Sequence, residues 1–468
     1  MSSNRRVFLQ GLAGSCLAAA GSRYSRASSQ TLASSSLPSP GESGIDHIVI
    51  VTMENRSFDH FLGWLPNANG VPGGLSYPDA SGAQHPVYAL ASDYTGCGHP
   101  DPDHSYTGSR ICYANRAMNG FLLDSSNDVY CIGQYNASDI PFYAALAENY
   151  TACDNWHAAI LGPTFPNRMF IWAAQTDRLT DSVAFSSLHT IFDALGKARV
   201  SHRYYFNNLP YLAFWGFKYI FSTSLFSHFL SDAAAGNLPA VSFVDPNYTV
   251  LDDSTGNDDH PHADIRNGDA FLSKIYQALA TGPKWANTVL IVMFDEWGGF
   301  FEHVAPPRVV APANGPDDDL QGGAALLGFR VPTVIASPFT KGSAGRNLVD
   351  HNLYDHTAAL KLIEWRFGLP PLTARDASPA INNPAASFNF NSPDASLPPL
   401  PMPEPVFAWP CFGGGIFSAE TSPAAGSPSA PRTQPGARAN EWTALANSTM
   451  VRDFLNHPHI QSLARLRN

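Results

Sequence analysis

Three stretches of this chain carry residues that could act together on a charged substrate. In Val289–Val304 the apolar run Val289–Phe294 stops at Asp295-Glu296, passes Gly298-Gly299 and reaches His303. In Ile45–His60 a second apolar run ends at Met53 and gives way to Glu54-Asn55-Arg56-Ser57-Phe58-Asp59-His60. In Gly162–Arg168, Thr164 stands just ahead of Pro166 and the helix-compatible MFIWAAQ. Paired carboxylates with an amide offer oxygen ligands to a hard divalent cation. A hydroxyl at a helix N-terminus sits among backbone N–H groups that stabilise an anion. Histidines occur in His99-Pro100-Asp101-Pro102-Asp103-His104, at His260 and His262, and at His303, and imidazoles carry protons near neutral pH. These types together suit a metal and phosphate site. Each stretch alone also has a plain structural reading: a solvated turn, a helix N-cap or a loop histidine.

The elements that must position these residues are strands buried on both faces. Continuous apolar, β-branched runs such as Ile48–Val51 and Val289–Phe294 have the character of parallel strands covered by helices. In an open α/β sheet the ligand crevice lies outside the carboxyl ends of the strands, where both acidic pairs fall. Further strands are expected at Thr151–Ile160, Ser201–Phe206, Ala240–Pro246 and Arg330–Ser337. Helices are expected at Asp139–Asn149, from Pro166 through Gln175, and at Phe192–Arg199, Asp269–Leu279 and Asp355–Phe367. This alternation predicts an α/β fold with a mostly parallel central sheet. Pro66–Asp128 reads as a long excursion, and Leu209–Leu230 as either core or an apolar rim.

The chain has 468 residues, 14% of them charged, and a formal net charge of -11. That balance argues against nucleic acid as a partner, which calls for a basic face. Asn4-Arg5-Arg6 followed by the short, weakly apolar Gly11–Gly21 predicts a twin-arginine export signal over residues 1–27, cut after Ala20 or Ala27. Residues 28–44 form a Ser/Pro-rich tether, 45–400 the catalytic domain, and 401–468 a Pro-rich extension with a terminal helix at Glu441–Leu455 that ends ahead of Pro458. The expected location is periplasmic or extracellular, with the Tat machinery as a partner in export. Cys97, Cys112, Cys131 and Cys153 crowd one region, so one or two disulfides are expected there, with connectivity open.

HIVIVTMENRSFDHFLGW, GPTFPNR and DEWGGFFEHVAPP, backed by GFRVPTVIASPF and DHTAALKLIEWRFGL, resemble the phosphoesterase family of bacterial and plant non-specific phospholipases C and related bacterial acid phosphatases. The likeness spans roughly residues 45–370. It implies an alkaline-phosphatase-like α/β/α sandwich and one divalent metal held at Glu54, Asn55, Asp295 and Glu296. It implies Thr164 as nucleophile, with His104, His260, His262 and His303 handling the phosphate and the leaving group. Oxygen ligands favour Ca²⁺, Mg²⁺ or Mn²⁺, and Zn²⁺ fits if a histidine joins. The leading expectation is a phospholipase C that cleaves phosphatidylcholine-like lipids through a phospho-threonine, with peripheral contact to a membrane surface. A broad phosphomonoesterase on small phosphate esters is the alternative, and a secreted binding protein without catalysis the third reading. Two residues depart from the family pattern: Trp297 after Asp-Glu, and Glu302 before His303.

Overall fold

Two wholly buried strands sit side by side at the centre of the molecule. They are β1 (His47–Met53) and β6 (Thr288–Phe294). The computed structural model describes residues 37–250, 256–312, 315–317, 319–342, 348–411 and 440–465. The expected export signal and residues 28–36 of the tether lie outside them. The remaining strands of the main sheet are β2 (Thr151–Cys153), β3 (His202–Phe206), β4 (Thr223–Leu225), β5 (Val241–Val244), β7 (Thr333–Ala336) and β8 (Leu348–Asp350).

The eight strands run in the order β8-β2-β7-β6-β1-β5-β3-β4. From β6 through β4 every pairing is parallel; β7 alone runs against its neighbours. The mostly parallel α/β sheet expected from the sequence is what forms. A parallel sheet must be covered on both faces. That is why every residue of β1 and β6 is buried.

The helices that matter for the site are α1 (Phe58–Leu62), α2 (Tyr106–Tyr113), α3 (Pro141–Asn149), α4 (Thr164–Ala173) and α5 (Ile265–Ala280). After them come α6 (Thr357–Phe367), α7 (Glu441–Ala446), α8 (Thr449–Asn456) and α9 (Pro458–Arg465). Ser57 caps α1 by accepting from His60 N–H, and Asp264 caps α5 by accepting from Arg266 N–H.

Three expectations change. Thr151–Ile160 is two short strands, Thr151–Cys153 in the main sheet and Trp156–His157 paired with Tyr354–Asp355. The single terminal helix is three. Ser448 caps a new helix by accepting from Val451 N–H, and Pro458 opens the next, where its missing N–H costs nothing. The disulfide is Cys97–Cys411, while Cys112, Cys131 and Cys153 are free and buried. Sequence crowding gave no hint of a partner 314 residues away. Trp442, Leu445, Val451 and Phe454 of the C-terminal helices lie in the same buried core as the central strands.

Candidate active site

Because β1 and β6 pair in register, with Met53 opposite Phe294, the residues after them leave the sheet together. Asp295 N–H donates to the Met53 carbonyl at 3.0 Å. Asn55 then takes a left-handed backbone, φ 55°, which asparagine tolerates better than most residues. Its N–H donates to Asp295 Oδ1 at 3.0 Å. Gly298 has φ +65°, and a Cβ there would stand 2.0 Å from the Asn55 carbonyl oxygen. Glycine is what lets the second turn close on the first. Gly299 makes the same close approach to Pro102, which seats the loop bearing His104.

Thr164 is the first residue of α4. Its Oγ lies 3.4 Å from Asn55 Oδ1. Asn55 Nδ2 faces His104 Nε2 at 3.4 Å, and His104 Nδ1 donates to the Pro102 carbonyl at 2.8 Å. Of the expected site residues, Glu54, Asn55, Asp295, Glu296, Thr164 and His104 therefore meet at one edge of the sheet. His260 joins them through Glu441, whose Oε1 lies 2.9 Å from His260 Nε2 and 3.3 Å from Thr164 Oγ.

The other two histidines have different partners. His262 Nε2 donates to the His99 carbonyl at 3.0 Å. His303 Nδ1 bonds Asp59 Oδ2 at 2.6 Å, and its Nε2 faces Asn69 Oδ1 at 3.2 Å. Neither hydrogen-bonds to Thr164 or to the acids that end β1 and β6.

Arg168 is the cation at the centre of this site. It lies one turn after Thr164, so both project from the same side of α4. Its guanidinium bonds Glu54 Oε1 through Nε at 2.7 Å and through Nη2, and it bonds Asp245 Oδ1 at 3.0 Å. Asp295 Oδ2 is 3.6 Å from Nε. All of these side chains are buried. Burial pushes the carboxyls of Glu54, Asp295 and Glu296 upward, while Arg168 opposes the shift at Glu54 and Asp295 and His104 opposes it at Glu296. His104 resists charge through its own burial, yet Glu296, Asp101 and Glu441 raise it to about 10. His260 is raised in the same way, its burial outweighed first by Glu441. Both imidazoles are thereby held as proton donors.

The donor set fits a divalent cation in part. Asp295 Oδ2 and Glu296 Oε1 are buried and accept no hydrogen bond, which a cation would remedy. Asn55 Oδ1 lies on the same side, toward Thr164. Glu54 is already engaged, Oε1 by Arg168 and Oε2 by Trp442 Nε1 at 3.3 Å. Asp101, His104 and His260 bring three ligand atoms within 4.8 Å of one another. The acids and amide suit a hard ion, and the group with two histidines a borderline one.

The phosphoesterase family model matches residues 45–370. The chain belongs to the phosphoesterase family. Members of this family that resemble it include non-specific phospholipase C6 of Arabidopsis thaliana, 30% identical over 78% of this chain and 76% of that one. Phospholipase C B of Mycobacterium tuberculosis is 30% identical over 78% and 82%. Non-specific phospholipase C1 of Arabidopsis thaliana is 30% identical over 71% and 69%. A solved structure described as an alkaline phosphatase superfamily protein from Vibrio parahaemolyticus shows a TM-score of 0.36 at 9% identity over 72% and 69% of the two chains, too distant to add to the assignment. The protein is a hydrolase acting on phosphoric ester bonds.

Both departures from the family pattern point away from Thr164. Trp297 packs in a core of its own against Phe329, centroids 4.6 Å apart, and Phe121. Glu302 bonds Arg330 through Oε1 at 2.7 Å. Leu209–Leu230 divides its two expected roles: Tyr211–Trp215 is buried, while Phe217 and Phe221 are 50% and 76% exposed. Among the described residues no helix is long and apolar enough to cross a membrane.

Four residues around these side chains escaped the sequence reading. Arg168 could have been found by its spacing of four from Thr164. His356 donates from Nε2 to the Asp295 carbonyl at 2.5 Å and fixes that backbone. Asp181 accepts from Phe165 N–H at 2.7 Å, taking an amide expected to face an anion; burial, with Glu441 nearby, raises it to about 7. Glu441 lies 277 residues from Thr164, beyond the reach of any motif.

Proposed function

We propose that this phosphoesterase is a secreted, metal-dependent phospholipase C that cleaves phosphatidylcholine-like lipids to diacylglycerol and a phosphorylated head group. The observation that carries the reading is the place of Thr164. Its hydroxyl opens a buried helix beside Asn55, with two charged imidazoles close by. The names of the relatives supply the substrate class.

In the first step Thr164 gives its hydroxyl proton to solvent, and its Oγ bonds to phosphorus as the bond from phosphorus to the glycerol oxygen breaks. The departing oxygen takes a proton from His260 or His104. In the second step water attacks the phospho-threonine and gives its proton to the imidazole left neutral. The bond from phosphorus to Thr164 Oγ breaks, the threonine oxygen takes a proton from solvent, and the phosphorylated head group leaves. A divalent cation held by Asn55, Asp295 and Glu296, of the Ca²⁺, Mg²⁺ or Mn²⁺ type, would neutralise phosphate charge and lower the pKa of the Thr164 hydroxyl. Zn²⁺ would draw instead on His104 and His260. Arg168 fixes the acids in place, and exposed Phe217 and Phe221 would rest on the lipid surface.

The deciding experiment is an acid quench during turnover of a radiolabelled substrate, followed by peptide mapping. Label on the peptide containing Thr164 is expected; label elsewhere, or none, overturns the mechanism. Turnover of a choline phosphodiester lipid against a small phosphate monoester, with metal-defined enzyme, separates the phospholipase from a broad phosphatase. Export rests on Arg5-Arg6, and their replacement by Lys-Lys should retain the precursor in the cytoplasm.

A further inference from the structure

The last segment of the chain places a carboxylate against the Thr164 hydroxyl. Glu441 Oε1 takes the Thr164 hydroxyl at 3.3 Å and faces His260 Nε2 at 2.9 Å. Its side chain is only 7% exposed. The residues on either side hold it there. Asn440 Nδ2 donates to the Thr249 carbonyl at 2.8 Å, and its Oδ1 caps α7 by accepting from Thr443 N–H at 2.9 Å. Trp442 stacks on Tyr248 with centroids 3.6 Å apart and donates to Glu54. Leu445, Val451 and Phe454 anchor the following helices in the core.

We infer that the segment from Asn440 to Arg465 is a built-in competitor for the phosphoryl site, with Glu441 as the carboxylate that occupies it. The inference rests on the proposed reaction at Thr164. A nucleophile must stand against phosphorus, and the phosphoryl oxygens need the same donors that Glu441 now uses. A carboxylate and a phosphoryl anion in contact with one hydroxyl and one imidazole repel each other and overlap in space. One must leave for the other to enter.

The test compares wild type, Glu441→Gln and Glu441→Ala on p-nitrophenyl phosphate. Inorganic phosphate is also titrated calorimetrically into Thr164→Ala with and without Glu441→Gln. Glutamine keeps the shape of the side chain, so the fold is retained. With the competitor disarmed, KM should fall about tenfold. Inorganic phosphate should bind Thr164→Ala about tenfold tighter once Glu441→Gln is added. A lower kcat with unchanged phosphate affinity would make Glu441 part of the reaction and overturn the inference. So would a loss of bound metal in Glu441→Gln, or constants equal to wild type throughout. Failure of the proposed function reads differently: wild type would then turn over no phosphate ester, or Thr164→Ala would keep full rate, while the phosphate titration still reports on Glu441.

Discussion

Two buried clusters in this protein are made of nearly the same parts. At the ends of β1 and β6, Arg168 gathers Glu54, Asp245 and Asp295, with Glu296, His104 and His260 close by. Beneath the loop after β6, Arg330 gathers Asp59 and Glu302, and His303 closes the group. The second cluster balances: Arg330 and a His303 whose pKa Asp59 raises against its burial face two carboxylates, and burial raises Glu302 to about 7. The remaining Arg330 N–H groups are spent on the Asn69 and Asp154 carbonyls. The first cluster sets five acids, Glu54, Asp245, Asp295, Glu296 and Glu441, against Arg168 and the imidazoles of His104 and His260, and it holds Thr164. A buried surplus of charge is costly unless a cation or a substrate answers it. The comparison teaches that the surplus of buried acids beside Thr164, rather than the count of acids and histidines, distinguishes the first cluster from the second.

The comparison breaks most visibly at Thr164. Thr164→Ala should lower turnover by on the order of 10,000-fold with little change in melting temperature, while Thr164→Ser keeps measurable activity. Steady-state rates beside a thermal melt decide it. The structural cluster should respond in the opposite sense. Arg330→Met leaves Asp59 and Glu302 buried without their partner, which costs about 3–5 kcal/mol. Denaturant titration should show that loss, and kcat per folded molecule should hold. Asp295→Asn removes one of the surplus charges. Turnover should fall by about 100-fold or more and metal content with it, while the metal-free protein should be no less stable than wild type. A melting temperature lowered as far as by Arg330→Met would make the two clusters alike.

Acid sharpens the same contrast. His157 sits on the structural side, bonded to the Gly328 carbonyl at 2.9 Å, and burial, with Arg330 nearby, lowers it to about 4. The folded chain therefore holds this imidazole neutral while the unfolded chain protonates it near 6.5. Its contribution is complete above pH 6.5 and is lost progressively down to about pH 4, a change on the order of 3 kcal/mol. His157→Asn should flatten that part of the stability profile in a pH series of melts. The smallest effect is expected at His303. If it only completes the Arg330 cluster, His303→Asn should change kcat by less than about tenfold and cost about 1 kcal/mol of stability. A loss near that of Thr164→Ala would return His303 to the reaction.

Much of this was written locally in the chain. The apolar runs ending at Met53 and Phe294 made β1 and β6 legible, because a strand buried on both faces must be continuously apolar. Their acidic ends announced a site, because loops at the carboxyl edge of a parallel sheet converge. The place of Thr164 at the start of α4 was legible from Pro166 and the apolar helix behind it. Tertiary structure alone decided the rest, since charge balance and contact depend on segments far apart in the sequence. His303 follows Asp295-Glu296 closely, yet Asp59 and Arg330 claim it. Arg168 proves to be the counter-ion of three acids drawn from three strand ends. Cys97 finds Cys411, and Glu441 reaches Thr164, across distances over which no periodicity or spacing carries information. For the charged residues the cost of burying a lone charge, met only once the whole chain had packed, selected the partner.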